Sequence, residues 1–368
     1  MTITPALFES QRDRRFGTSN PERMNLEFWE WMVRGAEQDR RSEDDDVPRT
    51  ACSPYEARQR FGREGDDLGN PVWTFSRMGA TRTPLPGGRT VCVGGEHEDY
   101  YDPDFCIYND VIVLGPCESV EIYGYPKEVF PPTDFHTATR VGPRLIVIGG
   151  LGYMGERHPG TTPVYAVDLS TYRIEKLPSL GEAPGWVFKH EAEPGTFGGV
   201  VVRGGEVYEE VDGQEKTRRN FDDFLYDVMS GSWKRLTRRA WRQYSLRDEE
   251  DKVFMKGTSL WKSLPEFPQP SDDSSLDMPD VQDTFLWVKA ESLRPRRLPF
   301  EVVASGDFTP EERLVVAGVP VSIKFEAFAI EVVVEGELDE AAEAALLEDI
   351  KAGVESETGR PLVLERLV

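Results

Sequence analysis

Six residues able to bind a metal or move a proton crowd nine positions of the run EHEDYYDPDF: Glu96, His97, Glu98, Asp99, Asp102 and Asp104. Hard cations such as Ca²⁺ gather several oxygen ligands, so carboxylates at this density could bind one. The spacing, however, departs from the EF-hand loop, which alternates its ligands and puts Gly at the sixth position. An acidic surface loop is the expected reading, and no metal or other cofactor is assigned. His136 and His190 precede two double glycines by 13 and 14 residues. A residue recurring at equivalent places is expected to pack or hydrogen-bond a neighbouring strand. His158, in LGYMGERHPG, is the freer imidazole. The chain has no GxSxG elbow, P-loop or HExxH, so no catalytic residue is assigned.

The elements that hold these residues belong to a chain of 368 residues, 39% hydrophobic and 11% aromatic, enough to bury a core in two or three domains. The formal charge of −23 repels nucleic-acid phosphates and anionic lipid, and favours a cationic partner. No apolar stretch reaches membrane-spanning length. Charges at Glu9, Arg12, Asp13, Arg14 and Arg15 fall where a signal peptide needs its apolar segment. Cys52, Cys92, Cys106 and Cys117 lack CxxC spacing and are too sparse for a disulfide framework. A cytoplasmic protein with reduced thiols is expected.

An internal repeat organises the middle of the chain. Three short apolar runs each end in a double glycine, at Gly94–Gly95, Gly149–Gly150 and Gly204–Gly205, with a constant period of 55 residues. The runs are rich in β-branched residues and too short for helices, so they read as strands. Each is preceded by a matching segment (GATRTPL, FHTATRV, FKHEAEP) and followed, after an insert, by YNDVIVL, VYAVDL or FLYDVM and then SVEIY, YRIEKLP or SWKRLT. Four strand-sized segments per period describe a four-stranded antiparallel unit.

The apolar strand, the Gly-Gly, a later Tyr and an aromatic seven residues beyond it resemble the kelch-repeat family. Gly149, Gly150, Tyr165 and Tyr172 carry the pattern in the second unit, and Gly204, Gly205, Tyr226 and Trp233 in the third. The first unit has Gly94, Gly95 and Tyr108, with Gly115 where the last aromatic belongs. The resemblance implies a mainly β fold, a partial or small β-propeller of four-stranded blades over residues 71–237. Copper oxidases of the wider superfamily use two His and two Tyr; with four His in this chain, two of them in repeat positions, that site does not carry over. Closed propellers have four to eight blades. Three units therefore imply a divergent blade around Trp241, Trp261 and Trp287, or open sheets capped by flanking segments.

The flanks divide into recognisable parts. Residues 1–70 should hold an amphipathic helix over 21–34, capped by Asn20 and ended by Gly35, then a charged linker from Glu37 to Arg49, then a helix from Ser53 with Glu56 completing a capping box. Residues 238–297 read as a divergent blade or linker, with the linker cluster PEFPQPSDDSSLDMP. Residues 298–368 read as an acidic α+β domain of net charge −11, with strands around 312–335, a helix over Leu338 to Val354 and a closing strand.

Equivalent inserts of a repeat emerge on one face. They run from Glu96 to Ile107, Leu151 to Pro163 and Glu206 to Asn220, and offer Tyr100, Tyr101, Tyr153 and Tyr208 as aromatic anchors beside Glu156, Arg157 and His158. The composite expectation is a non-enzymatic, kelch-like interaction module for a basic protein, with an antidote or immunity-type role as its narrower form. The competing expectation is an enzyme or carbohydrate-binding propeller with a central, metal-dependent site.

Overall fold

The computed structural model describes residues 2–41, 52–62, 71–99, 102–211, 214–250, 252–256, 285–305, 311–326 and 328–367. The chain is mainly β, with several antiparallel sheets and four α-helices among these residues. It divides into two compact units, residues 1–238 and 239–368.

In the first unit, helices α1 (Pro5–Gln11) and α2 (Glu27–Arg41) flank a short strand, β1 (Glu22–Arg23), and α3 (Pro54–Phe61) follows. The capping box at Ser53 and Glu56 forms, each side chain bonding the other's backbone N–H. Residues 21–26, expected to be helical, are not. Glu22 and Arg23 pair with Tyr123 and Gly124, and Asn20 caps nothing. Its amide instead bonds both backbone groups of Ile174, donating at 2.7 Å and accepting at 2.9 Å. Helix α2 starts later and continues through Gly35, its apolar face burying Phe28, Trp29, Met32 and Val33. Tertiary pairing outweighs local helix preference here.

The repeat forms three sheets. The first contains β2 (Thr81–Leu85), β3 (Arg89–Val93), β6 (Val111–Leu114) and β7 (Val120–Gly124) in sequential antiparallel order, with β1 at its edge; its insert is the hairpin β4 (Glu96–Asp99) and β5 (Asp102–Ile107). The second is β8 (Thr137–Val141), β9 (Arg144–Ile148), β10 (Val164–Asp168) and β11 (Ile174–Lys176). Strands β12 (Leu180–Gly181), β13 (Trp186–Phe188), β14 (Glu191–Pro194), β15 (Gly199–Arg203), β16 (Glu206–Val211), β17 (Gln214–Arg219), β18 (Phe224–Asp227) and β19 (Ser232–Arg235) follow. Of these β14, β15, β18 and β19 make the third sheet, edged by β12, and β13, β16 and β17 form a separate three-stranded sheet from its insert. None of the sheets closes on itself.

Period-2 alternation gives each sheet two apolar faces. Cys92, Ile112, Leu114 and Ile122 turn toward the helices, with Trp29 stacked on Trp73 at 4.6 Å. Val91, Val93, Val111 and Val113 meet Leu145, Val147, Tyr165 and Val167 of the second sheet. That sheet's Ile146, Ile148, Val164 and Ala166 meet Val200, Val202, Phe224 and Tyr226 of the third.

The double glycines are the seams between sheets. Gly94 and Gly149 have φ of +56° and +67°, and a methyl on either would strike the carbonyl oxygen of Thr133 or Val187, which arrives from the next unit. The same carbonyls accept the N–H of Gly95 at 2.8 Å and of Gly150 at 2.9 Å. Gly204 shares the left-handed φ, +60°, yet a methyl there would meet nothing within 4 Å. Among the described residues no carbonyl of a further repeat reaches it.

The second unit holds β20 (Arg242–Asp248), β21 (Val253–Lys256), β22 (Phe285–Val288), β23 (Phe300–Ala304), β24 (Glu311–Val316), β25 (Val319–Glu326), β26 (Ala329–Val334), helix α4 (Glu340–Thr358) and β27 (Leu362–Arg366). A six-stranded sheet of order β23-β24-β25-β26-β20-β27 packs Leu246, Ile323, Ile330 and Val332 against Leu346, Leu347, Ile350 and Val354 of α4. Strand β20, from the segment read above as a divergent blade or linker, lies between β26 and β27. Trp287 falls in β22, and Trp261 lies outside the described residues. No helix among the described residues is long and apolar enough to cross a membrane.

The seam geometry sets a graded expectation. Gly149→Ala collides with Val187 and should lose more than about 3 kcal/mol, whereas Gly204→Ala incurs only the left-handed backbone cost of about 1–2 kcal/mol. Urea denaturation of the two variants measures the difference; equal losses would refute the seam.

Candidate functional site

In every sheet the second and third strands are joined on the same side as the link to the next sheet, so inserts and links share one end of the array. They touch there. The Tyr153 hydroxyl accepts the Ile107 N–H at 2.9 Å, tying the second insert to the first, and Phe105 sits edge-on to the Tyr153 ring at 5.8 Å. Arg157 lies over Tyr208 of the third insert at 5.1 Å. Trp186, from the link into the third sheet, donates to the Leu151 carbonyl at 3.1 Å and meets His158 edge-on at 5.9 Å.

The side chains expected at this site divide in their placement. Tyr208 is 5% exposed and Tyr153 half-buried, so both join inserts and do not project as free anchors. Burial pushes the Tyr153 phenol above its ordinary range. Arg157 donates to the carbonyls of Leu151 and Gly152, and Glu156 pairs with Lys127. His158 is exposed, and His97 shares a hydrogen bond with the Ser76 carbonyl at 3.3 Å. Glu96 pairs its backbone with Met78. Tyr100 and Tyr101 lie outside the described residues, as do the side chains of Glu98, Asp99, Asp102 and Asp104. Among the described residues no group of three or more His, Cys, Asp or Glu is placed to hold a metal ion.

Sequence reasoning missed Asp134, Trp186, Phe105 and Lys127. Asp134 is fully buried at the link into the second sheet. One of its oxygens accepts the Gly152 N–H at 2.7 Å, and burial raises its pKa. The signal for Asp134 and Trp186 was the link itself, which in a meander of even strand number must return to the end that carries the inserts.

His136 and His190 lie in the seams. Nε2 of His136 shares a hydrogen bond with the Thr81 hydroxyl of the preceding sheet at 3.1 Å, and His190 does so with Thr137 at 2.8 Å. The Nδ1 of each is buried without a hydrogen-bond partner among the described residues. Protonation would bury an unpaired cation, and desolvation lowers both pKa values to about 3.

Below the seams, Asp110 accepts from the Trp73 indole at 2.9 Å and pairs with Arg77, whose guanidinium lies 3.5 Å from the Tyr108 ring centroid. This buried network fixes the segment that enters the first sheet.

No family model and no curated protein matches the chain. Among solved structures it is similar to a mannose phosphorylase from Leishmania mexicana in complex with a phosphate ion, at 12% identity and a TM-score of 0.29, covering 75% of this chain and 71% of that one. It is also similar to a fungal alcohol oxidase of the AA5 family in complex with copper, at 9% identity and a TM-score of 0.28, covering 73% and 71%. At these scores neither likeness carries an argument about function.

Two measurements test the site's construction. Tyr153→Phe leaves the Ile107 N–H without its acceptor, so exchange of that amide should accelerate by about tenfold or more, consistent with a lost hydrogen bond of about 1–3 kcal/mol; unchanged exchange would refute the tie. The two histidines bind protons near pH 6.5 only when unfolded. Their contribution to stability is therefore complete above that pH and declines as pH falls toward 3, by up to about 1.4 kcal/mol per unit for each. Across pH 6.5 to 5, denaturation of His190→Gln should show a clearly shallower slope than the parent.

Proposed function

We propose that the chain is a non-enzymatic, kelch-like interaction module, and that the joined inserts bind a protein of basic character. The narrower form is an antidote or immunity-type role in which an acidic surface masks a cationic protein. The kelch-like reading is supported by three successive four-stranded meanders, by the glycine pair closing the second strand of each, and by the seam contacts that recur from unit to unit.

The observation that carries the proposal is the direct linkage of three inserts, distant in sequence, through Tyr153, Arg157 and Trp186. A surface held together in this way is preorganised, which lowers the entropic cost of binding. Its carboxylates, Glu96, Glu156, Glu206, Glu209 and Glu210 with the acidic run of the first insert, would steer a cation toward it.

The test is capture from native lysate at low salt, with the captured protein identified and its affinity remeasured against variants. Glu98→Lys with Asp102→Lys in the first insert should weaken binding at least tenfold, and salt should weaken the parent complex. The control pair Glu301→Lys and Glu365→Lys in the second unit should leave binding unchanged. A captured protein with an acidic surface, or one indifferent to the insert reversal, would defeat the proposal.

A further inference from the structure

The two ends of the sheet array differ. Helices α1 to α3 cover the outer face of the first sheet, whereas within the first unit no described residues form such a layer over the outer face of the third sheet, and a methyl at Gly204 would meet nothing within 4 Å. Among the large apolar residues exposed in this sheet's edge strand and turns and just beyond its last strand are Leu180, Leu236, Met229 at 88% exposure and Phe197, which is fully exposed.

The register of the face identifies its occupant. Since Val200, Val202, Phe224 and Tyr226 point into the array, Val201 and Leu225 point outward. Strand pairing aligns Glu193 with Val201, Val201 with Leu225, and Leu225 with Lys234. One row across the face therefore reads carboxylate, apolar, apolar, ammonium. Rotation by 180° about an axis parallel to the strands reverses the row, setting Glu193 opposite Lys234 of a second copy and Val201 opposite its Leu225. The face is complementary to itself, as an isologous interface requires. Lys234 has no ion pair among the described residues, and Glu193, which pairs with Arg203, remains exposed.

We propose that two copies of this chain pair through the outer faces of their third sheets. The assembly closes at two, because the opposite end of each array is covered by its own helices and offers no equivalent face for a further copy. Five short strands spaced about 4.8 Å apart present a face that buries about 1,000–1,200 Å² in total, at the lower limit for a specific interface, so micromolar association is expected. With a net charge of −23 per chain, long-range repulsion is relieved by screening, and pairing should strengthen from 20 mM to 300 mM NaCl. A basic partner on the inserts would respond to salt in the opposite sense.

Sedimentation equilibrium of the full chain between 1 and 200 µM tests the proposal. The parent should show a reversible monomer–dimer equilibrium. Lys234→Glu, which sets like charges against Glu193 of the second copy, should weaken it at least tenfold, and combining Lys234→Glu with Glu193→Lys should restore it. Phe105→Ser, on the inserts, should leave it unchanged. A parent that stays monomeric at 200 µM in 300 mM NaCl would overturn the proposal, as would a dimer indifferent to Lys234→Glu or a double reversal that fails to rescue.

Discussion

The first unit depends on one recurrent contact, a backbone carbonyl of the link into one sheet driven against the double glycine of the sheet before it. The approach is too close for a side chain and demands a left-handed backbone, so glycine serves on both counts. The carbonyl is not left unsatisfied, because the second glycine of the pair donates its N–H to it. The imidazole beside it completes the seam by reaching back to a threonine hydroxyl. Without that approach the valine and isoleucine faces of neighbouring sheets would stand too far apart to interdigitate at native density.

Much of this was legible in the sequence because the constraint acts on backbone and therefore on residue type. The 55-residue spacing of the glycine pairs locates the sheets, and the repetition of His136 and His190 marks them as structural. Helix α4 and the strands around it were legible for the ordinary reason of periodicity, with Asp339 as a cap that accepts from Ala341 and Ala342. What was not legible arose from long-range pairing. Residues 21–26 carry a helical pattern but are held extended against β7, and Asn20, a good cap by type, engages Ile174, 154 positions away. Strand β20 could not be assigned to the second unit by composition, since its partners lie in β26 and β27.

The inserts show the same division. Their position followed from the repeat, whereas the contacts among them depend on side-chain packing that no spacing encodes. Tyr153 and Tyr208, expected to face a partner, contact neighbouring inserts, and the residues that join them include Trp186, which lies outside every insert. A surface assembled from three loops with few fixed lengths can vary in outline while the seams beneath it stay constant.

The clasp between Asn20 and Ile174 bears on how the chain is made. Packing between sheets joins units adjacent in sequence, so as synthesis proceeds each can settle on the one before it, and the array can assemble in the order of its emergence. Asn20 is the exception: it waits near the start of the chain for a strand of the second sheet. That clasp can therefore close only after some 175 residues have been polymerised, a late event in the birth of the first unit, although the helices beside it pack on the first sheet and are the earliest to appear.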